Sequence, residues 1–404
     1  MRCGWKRAAP ALGPAVLIFF AGCSTYQTKI EPARQALAQG RHQEAVSLVE
    51  PLARPESKDQ VLYTLDLATA LQGAGKFRQS AEAFERAARL ADKADYISVS
   101  RTAGSLVLAE EVQQYKTESY ERVLLHALNS LNFLALNDWE GAQVEVRRIH
   151  QIVRREAANG RKADLGDGFA TFLAGLIWES TGQWDDAAIA YENAHRALGD
   201  QPVLLEALVR ATLRSQRSEK FAALKRAHPE VAIRVERESR SSAHVFVLRL
   251  AGWAPRKAPN PVEPRFPELR SVPWSDPWQI RAGIESQKTD VVLSTVLDVD
   301  QIARRALQED ALKLIGRRLS GVVAKEVLAD QVSQRDPALG LVTSLLLHAS
   351  DRADLRQWST LPAQFQLARL VVPAGNVQMR IEGHDDVSLT LKPNERRFVV
   401  VRDY

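Results

Sequence analysis

The 404 residues include 45% hydrophobic and 25% charged side chains, enough apolar material for two or three packed units and a composition unlike that of a disordered chain. Of the net +5, three charges (Arg2, Lys6 and Arg7) belong to an N-terminal segment with its own character, so the remainder carries only +2 and nucleic acid is not an expected partner.

That segment begins with Arg2, Lys6 and Arg7, continues as an apolar run over 8–20, and stops at Phe20-Ala21-Gly22-Cys23, the layout of a secretory signal. A run of about 13 residues holding Pro10, Gly13 and Pro14 falls short of the roughly 20 apolar residues that a spanning helix needs. Ala21-Gly22-Cys23 resembles a bacterial lipobox, in which cleavage before the cysteine leaves it carrying diacylglycerol and an N-acyl chain such as palmitate. Phe20 stands where that pattern usually has leucine, and an ordinary signal peptide with an incidental cysteine is the alternative reading. Ser24 follows the cysteine, and the resemblance reserves aspartate there for inner-membrane retention, which implies an outer-membrane lipoprotein on the periplasmic face. Residues 1–22 are thus read as a signal peptide, Cys23 as the lipidation site and 23–30 as a tether. Cleavage removes Cys3 and lipid consumes Cys23, so disulfides, thiolate zinc sites and cysteine nucleophiles are set aside together.

From Glu31 to Pro229 the sequence predicts helical hairpins. The clearest runs from Phe169 to Leu198, with small Gly175 and Ala187 where two helices approach, Trp178, Trp184 and Tyr191 filling the space between them, and Gly182 opening the turn. Asp185 and Asp186 sit in the first turn of the second helix, where the dipole favours carboxylates. Related turns occur at Gly40-Arg41-His42, Gly75-Lys76-Phe77 and Asn137-Asp138-Trp139, with intervals of 35, 62 and 45 residues up to Gly182. An extra helix is expected near Ile97–Gln113, and Pro202–Ser215 with Ser218–Ala227 as a degenerate hairpin ended by Pro229. These units resemble tetratricopeptide (TPR) repeats, which implies a solenoid with an extended concave surface. On that template the first helix of each hairpin faces the groove, which makes Leu65, Thr69, Leu131, Leu134, Phe172 and Leu176 candidate partner-binding residues. They either bind an amphipathic segment or are covered by the chain itself, the arm from Pro255 to Pro277 being the candidate cover. Gly73-Ala74-Gly75-Lys76 lacks the first glycine and the hydroxyl of a phosphate loop and reads as a repeat turn. His126 and His150 have no ligand spacing and read as helix-surface histidines.

At Val231 the period changes. Val231–Val235 and His244–Leu250 are β-branched runs that predict strands. A proline-rich stretch through Pro277 follows, with Trp274 and Trp278 as aromatic anchors, pinned to a domain or free to hold a partner. Asp290–Asp298 predicts a strand, 299–329 a helix bent near Ser320-Gly321, Asp336-Pro337 a further helix start, and Leu341–His348 a buried helix. Four strands then end the chain, Gln366–Val372, Val377–Glu382, Val387–Leu391 and Arg397–Arg402, with turns that favour an antiparallel sheet. Gly383-His384-Asp385-Asp386 reads as a solvated turn, and Asp298 and Asp300 as a strand end and a helix N-cap. The fold class is mainly α: a TPR-like solenoid over 31–229, strands and a proline-rich connection over 230–289, and a smaller α+β domain over 290–404.

The segment Ala353-Asp354-Leu355-Arg356-Gln357-Trp358-Ser359-Thr360-Leu361-Pro362, with Gly252-Trp253-Ala254-Pro255 and Tyr120–His126, is similar to a family of largely uncharacterised bacterial TPR lipoproteins of the outer membrane. The resemblance implies an envelope protein. The residues themselves place Asp354 near a chain reversal, Arg356 within reach of a carboxylate and Trp358 as a packing anchor. The expected function is a periplasmic protein–protein interaction scaffold in cell-envelope assembly or regulation, with envelope proteins as partners and no metal, cofactor, catalytic residue or small-molecule substrate. Two rivals remain: a peptidoglycan-directed enzyme acting through carboxylates of the C-terminal domain, and a structural subunit of a secretion or polysaccharide-export assembly. GxSxG, HExxH and a phosphate loop are all missing from the sequence.

Overall fold

Ten helices pair into five hairpins because the same turn is used five times. In this computed structural model, which describes residues 25–101, 114–161, 165–239, 241–262, 267–273, 280–285, 290–309 and 353–404, the hairpins are α1 (Tyr26–Ala38) with α2 (His42–Ala53), α3 (Gln60–Gly73) with α4 (Phe77–Arg101), α5 (Ser119–Ala135) with α6 (Trp139–Ala158), α7 (Asp167–Ser180) with α8 (Trp184–Leu198), and α9 (Pro202–Arg214) with α10 (Ser218–Ala227). Each turn hinges on one left-handed residue: Gly40, Gly75, Asn137, Gly182 and Gln216, with φ of 70°, 70°, 57°, 76° and 58°. In each, the next amide donates five residues back, as in Lys76 to the Leu71 carbonyl at 2.9 Å and Gln183 to that of Trp178 at 2.8 Å, satisfying a carbonyl that the helix end leaves open. Gln216 does this without the glycine or asparagine that marks the other four turns. The first interval alone keeps the family period, and α4 extends to Arg101 in the longest one; the rest of the expected Ile97–Gln113 helix lies outside the described residues.

Two readings are corrected around the end of the solenoid. Pro229 opens a helix, α11 (Pro229–Glu236), so Val231–Val235 is not a strand. The β-branched run misleads because its buried members, Ala232 and Val235, are three apart, a helical spacing that packs them on Leu205 and Val209 of α9. The segment read as a tether is also structured from Thr25, which caps α1 through its side chain, and Tyr26 is buried.

The β part forms two four-stranded sheets and a ribbon. The first sheet has the order β10 (Arg396–Asp403), β1 (Ala243–Ala251), β7 (Gln364–Val372), β6 (Ser294–Asp298). The second has the order β5 (Val291–Val292), β4 (Arg281–Ile284), β8 (Gly375–Ile381), β9 (Val387–Leu391), and β2 (Arg256–Pro259) pairs with β3 (Pro267–Arg270). β8 and β9 form the expected antiparallel pair, but β7 and β10 belong to the other sheet, and β10 runs parallel to β1. β1 therefore hydrogen-bonds strands from the chain's end on both sides, and a boundary drawn between 230–289 and 290–404 cuts through both sheets, parting β1 from β6, β7 and β10 and β4 from β5, β8 and β9.

Period-two alternation explains why β1 is buried along its whole length. Phe246, Leu248 and Leu250 join the helices in one core, together with Phe365, Leu367 and Phe398. Val245 and Val247, on the other face, pack with Ala282, Ile284, Met379 and Ile381 of the second sheet. The order is solenoid, sheet, sheet. Asp298 ends β6 and itself caps the following helix α12, described over 299–309, by accepting from the Gln301 amide at 2.9 Å; Asp300 sits in its first turn and pairs with Arg304 at 2.7 Å instead of capping it. Trp274, Trp278, the continuation of that helix, the Asp336-Pro337 start and Leu341–His348 lie outside the described residues, as do 1–24.

Candidate functional site on the concave face

Leu65, Thr69, Leu131, Leu134, Phe172 and Leu176 are each at 0% exposure, so none presents a side chain to a partner, and of the two readings left open for the groove it is the covered one that the structure shows. Phe172 turns instead toward Tyr191 of α8, ring centroids 5.8 Å apart, while Phe169 meets Phe365 of β7 at 5.3 Å. In this hairpin the aromatic contact across the concave face is therefore made three residues before the position that the template names. Among the described residues, sheet strands and the segment 353–363 fill the groove, the proline-rich arm's first residues flank that segment, and its Leu269 and Val272 pack against the same core.

This strap is held by side chains from three first helices. Arg356 Nη1 donates to Asp59 at 2.9 Å, just before α3, and its Nε and Nη2 donate to Asp354 at 2.9 and 2.7 Å, so the carboxylate partner expected for Arg356 is supplied twice. The Trp358 amide donates to Glu121 of α5 at 2.8 Å, and its indole, 1% exposed, packs edge-on to Phe84 at 5.9 Å and donates to Thr360 at 3.0 Å. Thr360 in turn donates to Asp66 of α3 at 2.8 Å. Tyr26 of α1 donates to the other Asp66 oxygen at 2.6 Å and accepts from the Ser359 amide at 3.3 Å. Gln357 donates to the Pro255 carbonyl at 2.7 Å and accepts from the Lys257 amide at 2.6 Å, while Lys257 Nζ donates to Glu118 at 2.6 Å.

Burial raises the Asp66 carboxyl to about 7, against the Tyr26 and Thr360 hydroxyls that favour its charged form. Glu121 is likewise raised to about 7 by burial and then by Glu118, although Lys257, the Trp358 amide and Tyr115 oppose it. Carboxyls displaced this far are a mark of active sites. Here both are at 0% exposure and their oxygens accept from the protein's own Tyr26, Thr360, Tyr115 and Trp358, so a substrate has no route to either. Their chemistry is to hold the strap. Asp66 had a sequence signal, a lone acid among the apolar residues of 61–71; Glu121 had a weaker one as the acid three residues into α5, where it closes a capping box with Glu118.

His126 is corrected from a surface residue to a buried one, its Nδ1 2.6 Å from Glu145 Oε2. It backs a cavity of 430 Å³ between α4, α5 and α6 lined by Arg89, Asp92, Arg122, Arg148 and Arg155, whose guanidiniums are matched by Glu85, Asp92, Glu145 and Glu156. Gly75 is a repeat turn, and His384 pairs with Asp403 at 2.9 Å from its place in the 383–386 turn. Among the described residues no three His, Cys, Asp or Glu are grouped to hold a metal, and no helix is long and apolar enough to cross a membrane.

No family model and no curated protein matches this sequence. Among solved structures the chain is similar to a Podosopora anserina kinesin light chain with nearly identical TPR-like repeats, at 17% identity over 52% of this chain and 97% of that one, TM-score 0.36. It is also similar to MamA from Desulfovibrio magneticus RS-1, at 15% identity over 51% of this chain and 92% of that one, TM-score 0.35. The assignment of a TPR-like solenoid rests on the five hairpins and their common turn.

Proposed function

We propose that this protein is an outer-membrane lipoprotein, anchored through Cys23 on the periplasmic face, that acts as a protein–protein interaction scaffold in cell-envelope assembly or regulation. The signal layout ending at Cys23 supports the anchor, and two or more acyl chains make such attachment lasting. The observation that carries the scaffold reading is the filled groove: a solenoid locked onto its own sheet is a rigid platform, and its partners meet the outer helices. Large apolar side chains are exposed there at Leu48, Val144 and Ile189, all on second helices and seven or eight positions after the turn residue.

The test is capture of envelope proteins by the detergent-solubilised protein and by a Val144→Asp/Ile189→Asp variant whose fold is checked by circular dichroism. Proteins captured by wild type and lost by the folded variant support outer-helix binding. An identical set from both overturns that surface, and no specific protein captured by wild type overturns the scaffold.

A further inference from the structure

Residues paired across a ladder share a face of the sheet, as do residues two apart on one strand. Phe246 and Phe398 stack across β1 and β10 at 4.7 Å, and Phe246 stands opposite Arg369 of β7. Two residues back along β1 and β10 are His244 and Arg396, themselves ladder partners. Arg396 and His244 therefore stand side by side with Arg369 diagonally across from His244, a slanted row over three strands on the face that meets the helices. Opposite them, the Arg396 guanidinium lies over Trp184 at 5.4 Å, and Arg369 Nη2 donates to Glu179 at 2.5 Å.

In this row two cations, Arg369 and Arg396, face one carboxylate, Glu179. Glu179 is matched to Arg369, and nearby Arg210 is matched to Glu238 and Glu206 at 2.7 and 2.6 Å. Arg396 donates to the Asn394 carbonyl at 2.6 Å, and no carboxylate among the described residues is within ion-pair distance of it. Two guanidinium N–H groups in the row are buried without an acceptor, Arg369 Nη1 and Arg396 Nε, and the Arg369 side chain is 1% exposed. A buried donor of this kind calls for an acceptor. His244 Nδ1 accepts from Arg369 at 3.0 Å, so the neutral ring carries its proton on Nε2, a further donor in the row. Burial and the cations Arg369, Arg210 and Arg396 hold this histidine far below its ordinary value, so it remains neutral.

We propose that this row is a binding site for a single carboxylate group, which enters beside half-buried Arg396 and is received by Arg396 Nε and Arg369 Nη1. One unmatched cation calls for one negative charge, and a phosphate dianion would add a surplus beside buried Glu179. Guanidinium donors suit a planar carboxylate, and half-buried Trp184 offers an apolar flank to the group that carries it. A small organic acid and a peptide chain end both present this chemistry. The site stands independently of the scaffold reading, since envelope-protein capture and carboxylate binding are separate measurements.

Calorimetric titration of the full chain in detergent, in chloride buffer, tests it with three probes: sodium acetate, N-acetyl trialanine and the C-terminal amide of that peptide. The expected result is saturable binding of the free acid without binding of the amide, weakened about tenfold or more by Arg396→Gln. Arg397→Gln, on the opposite face of β10 and paired with Glu395, is expected to bind as wild type does. Acetate binding as tightly as the peptide identifies a small acid as sufficient, and tighter peptide binding identifies a chain end. Equal binding of acid and amide, no binding of either acid, or unchanged binding by folded Arg396→Gln overturns the site.

Discussion

Gly175→Ala tests how tightly α7 and α8 are joined. A Cβ at 175 would lie 2.3 Å from Tyr191 Cε1 and 2.4 Å from its Cδ1, so one of the two must move. The ring cannot swing freely. Its hydroxyl donates to Glu179 at 2.7 Å, Glu179 is tied to Arg369, and Phe172 packs beside the ring. Alanine gains roughly 1 kcal/mol of helix propensity over glycine. Overpacking costs about 1–3 kcal/mol, and a displaced Tyr191 forfeits a charge-assisted bond of about 1.5–3 kcal/mol, so the net loss is about 1.5–5 kcal/mol. Gly141→Ala is the comparison: its Cβ would come 2.6 Å from Phe133, a half-buried side chain that can turn outward, and stability is expected to stay within about 1 kcal/mol of wild type. Urea unfolding of the two variants reads the difference from the midpoints at common slope. Equal stabilities would refute the idea that Tyr191 is fixed by its buried partners.

Ala187→Trp, at a 0% exposed position of α8, is expected to cost at least about 1–3 kcal/mol by overpacking, and an unchanged thermal melt would contradict the pairing of α7 with α8. Trp358→Ala removes the indole that seats the strap and should cost about 3–5 kcal/mol in urea unfolding; a loss under about 1 kcal/mol would show the strap is not anchored there. Because folding raises the Asp66 carboxyl from 3.8 to about 7, the folded chain keeps a proton that the unfolded chain releases, and this group's contribution to stability falls as pH rises through that window. His42 and His150, lowered on folding, act in the opposite sense below their ordinary value, so the informative quantity is a difference. Asp66→Asn should gain stability relative to wild type between pH 5 and pH 8, and a flat difference would remove the assigned cause. Cys23→Ala should release the protein from membranes in cell fractionation, and a mass spectrum of uncleaved, unmodified Cys23 would end the lipoprotein reading.

The hairpins were legible because their information is local. Gly40, Gly75, Asn137 and Gly182 each mark a left-handed turn in the residues themselves, and the strand runs at His244–Leu250 and 387–391 carry their own alternation. Two kinds of information were not local. Whether Leu65 or Phe169 meets a partner or a remote part of the chain depends on segments hundreds of positions away, and an apolar helix face reads the same in both cases. The pairing of β10 with β1 is likewise a choice among sheet edges that no turn dictates, since turn chemistry joins only neighbours. Val231–Val235 failed for a smaller reason: β-branched composition outweighed the three-residue spacing of Ala232 and Val235. Trp358 was visible as a packing anchor and Arg356 as a partner for some carboxylate, whereas nothing local says that Asp59, Asp66 and Glu121 receive the strap, even where Asp66 stands out as a lone acid in an apolar run.

The bond between Tyr26 and Ser359 spans 333 positions and is 2.9 Å long. Early hairpins can form as soon as their turns exist, but their inward faces are only partly covered, by β1 and β6, until residues 353–404 arrive. Contacts this remote close late, because the intervening chain must first surrender its freedom, and folding rates fall as such separations come to dominate. For that interval Leu65, Leu131 and Phe169 are bare, and the half-made solenoid is a sticky species prone to self-association. A nascent chain of this design gains from shelter during its maturation, and truncation before residue 353 removes Trp358, Phe365, Leu367 and Phe398 from the core of the repeats at once.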